Sequence, residues 1–77
     1  MLAGALAGVI RETGEAEIRA IGAGAVNQAI KAIAIANGFV ASGDIELVCT
    51  PSFTNNEIGG EEVTGIMLTI KAVSLSQ

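Results

Sequence analysis

Several things are scarce in this chain of 77 residues: tryptophan, tyrosine and histidine are absent, and cysteine and proline occur once each. One cysteine excludes an internal disulfide, and one cysteine without histidine leaves no ligand set for a structural zinc. No metal or other cofactor is expected. Without tryptophan or tyrosine, and with two phenylalanines, stacking of nucleobases on aromatic rings has little to work with. Basic residues are also few, four against eight acids, for a net charge of −4. The broad basic footprint of a typical nucleic-acid binder is therefore missing. The aliphatic opening Met1–Ile10 is too short to span a bilayer and lacks the basic n-region of an export signal. It reads as a packed helix, no membrane association is expected, and the lone thiol makes the cytoplasm the default compartment.

What is present is a small, aliphatic, glycine-rich domain. Hydrophobic residues make up 51% of the chain, and ten residues are glycine. A chain this short is one domain, spanning residues 1–77, and buries a small fraction of its surface. With disulfide and metal excluded, a partner subunit is the remaining staple, and a homodimer is expected. Charge is unevenly placed. Residues 18–43 contain Arg19 and Lys31 and no acid, whereas residues 44–62 contain Asp44, Glu46, Glu57, Glu61 and Glu62 and no base.

The pattern along the chain alternates helix and strand. Leu2, Leu6, Val9 and Ile10 recur at helical spacing, Arg11 suits the last turn and Gly14 stops it, which predicts a helix over residues 2–12. Gly4 and Gly8 lie four apart on another face. Residues 15–21 alternate, with Ala16, Ile18 and Ala20 inward. Gly22-Ala23-Gly24 turns the chain into a second helix over residues 25–37. Its apolar stripe is Val26, Ala29, Ile30, Ile33 and Ala36 or Asn37, and Asn27, Gln28 and Lys31 form a polar flank. Gly38 fits a left-handed cap, and Ile35 is left outside the stripe.

A strand follows over residues 45–50 with Ile45, Leu47 and Cys49 on one face, so Cys49 is expected to be a buried thiol. Pro51 marks an edge position or a bulge. Gly59-Gly60 signals a hairpin, and residues 63–73 return as a strand with Ile66, Leu68 and Ile70 inward. Residues 74–77 read as a loose tail. The order helix-strand-helix-strand-strand implies a two-layer α/β sandwich, with both helices on one face of a small mixed sheet.

The wording of three segments resembles the stage V sporulation protein S family. They are AGALAGVIRETGEAEIRAIGAGAVNQAIKAIAIANGF (Ala3–Phe39), IELVCTPSFTNNEIGGEE (Ile45–Glu62) and TGIMLTIKA (Thr64–Ala72). The resemblance implies an Alba-like fold, in which dimers bind DNA or RNA, and a regulatory role in sporulation. It also implies a strand ahead of the first helix. Met1 falls almost at the helix here, so a shortened domain with an unpaired sheet edge is expected. Many relatives carry arginine where this chain has Asn37, which lowers the basic character of the second helix.

The chemistry follows from these pieces. The Gly22-Ala23-Gly24 turn reads either as a tight connection or as an anion site at a helix start, with Asn27 and Gln28 as added donors. A dinucleotide-binding fingerprint would need glycine at Asn27, so that motif fails. Arg19 and Lys31 read either as phosphate contacts or as solubilising charges. The nucleic-acid candidates are thus Arg19, Gly22, Gly24, Asn27, Gln28 and Lys31. The hairpin of residues 50–64 corresponds to the arm that Alba-like proteins lay along nucleic acid, but it carries Glu57, Glu61 and Glu62, so it fits a protein partner at least as well. Glu12, Glu15 and Glu17 have no histidine or lysine beside them for acid–base work, and no enzymatic activity is expected. The leading expectation is a nucleic-acid-binding regulatory dimer of low sequence specificity. The alternative is a protein-interaction or scaffolding module of spore development.

Overall fold

A computed structural model describes residues 3–75. Helix α1 (Ala3–Thr13) leads into strand β1 (Glu15–Ala20), helix α2 (Ala23–Val40), a single 3-10 turn (Ala41–Gly43), strand β2 (Ile45–Ile58) and strand β3 (Glu61–Ser74). The sheet order is β1-β3-β2 and both pairings are antiparallel. The expected mixed sheet is therefore corrected: every strand described here is joined to its neighbour in the antiparallel sense. Two layers result, with both helices on one face.

The core sits between the helices and the β1–β3 half of the sheet. Leu6, Ala7 and Ile10 of α1 meet Ala29, Ile33, Ala36 and Val40 of α2 over Leu68 and Ile70. Ala20 is buried as well, so four of the ten buried hydrophobic residues are alanines. Alanine contributes little area, so the few large residues carry the burial energy. Leu6, Ile10, Val40 and Ile70 are fully enclosed, and each gives roughly 1.5–3 kcal/mol on burial. Leu2 of the expected stripe lies outside the described residues, and Val9 is 37% exposed at the stripe's margin.

Helix α2 runs three residues beyond its expected end. Gly38 is an interior helical residue, and the left-handed position falls on Asp44 (φ 59°) after the 3-10 turn. The reason is Val40, which extends the stripe Ala29, Ile33, Ala36 and is 2% exposed. Glycine inside a helix costs about 1 kcal/mol relative to alanine, and burial of Val40 more than offsets that. Ile30, expected in the stripe, lies off it and is 47% exposed. The last turn of α2 has no basic residue of its own. Arg11 supplies one from α1, donating from its guanidinium to the Phe39 carbonyl at 3.0 Å, where the helix dipole favours a cation.

Asn37 has a structural role. Its side-chain oxygen accepts from the Leu47 backbone N–H at 2.9 Å. That bond ties α2 to the outer edge of β2 and shows that the Leu47 N–H points away from β3. Pro51 has the same parity, so its missing N–H also falls on the outer edge. The β2–β3 register passes through Pro51↔Leu68 without a bulge, as an edge strand allows. Ser74 belongs to β3, and Leu75 N–H donates to the Asp44 carbonyl at 2.8 Å. The expected loose tail is thus tied down through Leu75; Ser76 and Gln77 lie outside the described residues.

Strand β1 pairs only with Ile66–Lys71 of β3. Beyond Ile66 the β2–β3 hairpin continues alone as an arm, closed by Gly59 and Gly60 at φ 59° and 83°. Two positive φ angles in a two-residue turn match the twist of a hairpin and favour glycine. The arm makes the molecule long and thin, 48 × 19 × 18 Å.

Candidate functional site

A groove of about 570 Å³ runs between the free edge of β1 and the flank of α2. Arg19 of β1 and Gln28 and Lys31 of α2 line it, and Ile18, Ala32 and Ile35 supply apolar wall. Alternation on β1 places Ile18 over the core and turns Arg19 toward the helix-free face of the sheet, so Arg19 borders the groove from the outer edge of β1. On α2, Gln28, Lys31 and Ile35 are spaced by three and four residues and so share one flank. Two cations and no acid line this groove.

Three of the six candidate residues therefore come together: Arg19, Gln28 and Lys31. Gly22, Gly24 and Asn27 do not line the groove. Gly22 caps α2 at φ 91°, a backbone state that suits glycine, and its carbonyl accepts from Val26 N–H at 3.0 Å. Gly24 lies inside the first turn of α2. Asn27 is exposed and, four residues before Lys31, sits about 40° further round the helix. No side chain caps the α2 N-terminus, and its first turn holds no acid. The turn is thus an uncompensated positive helix end beside the groove.

Cys49 is exposed, which corrects the expected buried thiol. It lies on the helix-facing side of β2, as its alternation with Leu47 requires. The helices, however, cover β1, β3 and only the start of β2. Partial desolvation still pushes its thiol above the ordinary value, which disfavours the reactive thiolate. The same geometry exposes Phe53, at 81%. The sequence carried one signal for this, the polar run Ser52–Glu57 around it. The apolar groove wall, Ile35 aside, had no such signal.

Among the described residues no group of three or more histidine, cysteine, aspartate or glutamate side chains is placed to hold a metal ion. Neither helix is long and apolar enough to cross a membrane. The molecule is a two-layer α/β domain with a cation-rimmed groove on one edge and an acid-tipped arm on another. The family model for Stage V sporulation protein S (SpoVS) matches residues 1–73. The chain belongs to that family, and its role lies in sporulation.

Proposed function

We propose that this SpoVS-family chain is a cytoplasmic, non-catalytic regulatory protein of Alba-like topology that binds nucleic acid weakly, as a dimer. The observation that carries this reading is the groove with Arg19, Lys31 and Gln28 and no acidic lining. Arg19 and Lys31 neutralise phosphates, Gln28 donates to a phosphate or sugar oxygen, and the open N-terminus of α2 adds a positive helix end. Such contacts position a backbone without reading sequence. Exposed Ile35 contributes to the subunit contact.

The test is fluorescence anisotropy with generic duplex DNA and single-stranded RNA across a salt series. Two phosphate contacts per chain give a log–log salt slope of about −1.8 on duplex, and a dimer using both grooves doubles it. The double variant R19E/K31E abolishes binding. Retained binding in that variant, or none by the wild type at low salt, refutes the reading. A second reading, a protein-interaction module without nucleic acid, is favoured by one observation: the acids Glu57, Glu61 and Glu62 on the arm repel phosphate. Absence of binding to either polymer would put it first.

A further inference from the structure

The end of the arm is electrostatically unfavourable as it stands. Glu57 and Glu62 are directly opposite in the β2–β3 register, and Glu61 is next to Glu62, opposite Ile58. Like charges facing each other across strands destabilise a hairpin. No base occurs between Asp44 and Glu62 to relieve them. Ile58, in the same tip, is 53% exposed. The groove has the complementary character: two cations, no acid, and an apolar wall.

The tip cannot reach the groove of its own chain. The groove lies on the outer side of β1, whereas the arm is an extension of β2 and β3, and β1 pairs no further along β3 than Ile66. We propose that the occupant is a second copy of this chain: the acidic tip of one arm inserts into the Arg19–Lys31 groove of another. Glu57, Glu61 and Glu62 pair with the two cations, and Ile58 covers the apolar wall beside Ile35. The contact rests on the same groove as the nucleic-acid reading. The arm is then a competitor of phosphate there, so that nucleic acid enters the groove only where the arm has left.

The test is a charge swap read by sedimentation velocity, with each variant shown by circular dichroism to be folded. The wild type gains mass with concentration and loses that gain as salt is raised, because the arm–groove contact is ionic. The arm variant E57K/E61K/E62K alone and the groove variant R19E/K31E alone lose this salt-sensitive gain, and whatever dimer the Ile35 contact holds remains. Mixed, they regain it: the groove variant's acidic arm enters the arm variant's basic groove, and the arm variant's basic arm fits the acidic groove. A wild type with no salt-sensitive gain at low salt, an arm variant that associates as the wild type does, or a mixture with no gain overturns the proposal. The two readings separate in anisotropy. The arm variant keeps or gains duplex binding, whereas the groove variant loses it. A successful swap without duplex binding by any form leaves self-association standing and sinks only the nucleic-acid reading.

Discussion

Replacing Gly65 by alanine tests how the arm is rooted in the body. Gly65 is buried, in β3 just beyond the last β1 pair. A Cβ there would stand 2.9 Å from Asn56 Nδ2, 3.0 Å from Thr54 Oγ1 and 3.0 Å from Ile21 Cγ1. The asparagine is not free to retreat. Its amide donates to Thr54 Oγ1 at 2.9 Å and to the Val63 carbonyl at 3.4 Å. Alanine would gain roughly 0.5–1 kcal/mol over glycine from chain entropy. Overpacking of this kind costs about 1–3 kcal/mol, and a displaced hydrogen bond adds about 0.5–1.5 kcal/mol. The net expectation is a loss of about 0.5–4 kcal/mol. For a domain of this size each kcal/mol lowers Tm by about 4–8 °C, so a fall of at least about 2 °C is predicted in thermal melts followed by circular dichroism. Shortening the neighbour should recover part of it: G65A costs less in an N56A background than in the wild type. An unchanged or raised Tm for G65A, or an equal cost in both backgrounds, would refute this account of the packing.

Asn37→Ala removes the acceptor for the part-buried Leu47 N–H and should cost about 1–3 kcal/mol in urea unfolding, through the unpaired donor left behind. Phe53→Ser alters a ring that is 81% exposed, so the urea midpoint should move by no more than about 0.5 kcal/mol of stability; a larger loss would mean that the ring is covered in solution. Cys49 should alkylate without unfolding, its rate rising with pH around a midpoint above that of a free thiol, as the raised thiol requires. The linked stability effect has a definite sign. From about pH 8.5 upward the unfolded thiol ionises first, so the unfolded state binds fewer protons and the native state loses stability with rising pH. Cys49→Ser should remove that dependence.

Local patterns were legible in the sequence wherever they reflect contacts a few residues apart. Helical spacing around Leu6 and Ile10, the stop at Gly14, alternation from Ala16 to Ala20 and the Gly59-Gly60 turn all depend on one or two turns of chain. They appear in the fold nearly where they were read. The family, too, was legible in the wording of three segments. The candidate site was half legible: the acid-free stretch pointed to Arg19, Gln28 and Lys31, which do line one groove, but it also swept in Gly22, Gly24 and Asn27, which do not.

The rest depended on which faces met. Gly38 reads as a stop by its own propensity, yet the burial of Val40 in a core assembled from four elements carries the helix past it. Cys49 alternates correctly with Leu47, but alternation assigns a face and not its cover. The helices happen to lie over β1 and β3, so the thiol stays in solvent along with Phe53. The antiparallel sense of the whole sheet, and the crowding that demands glycine at position 65, depend on strand register. Residues far apart in sequence define both, and no short window contains them.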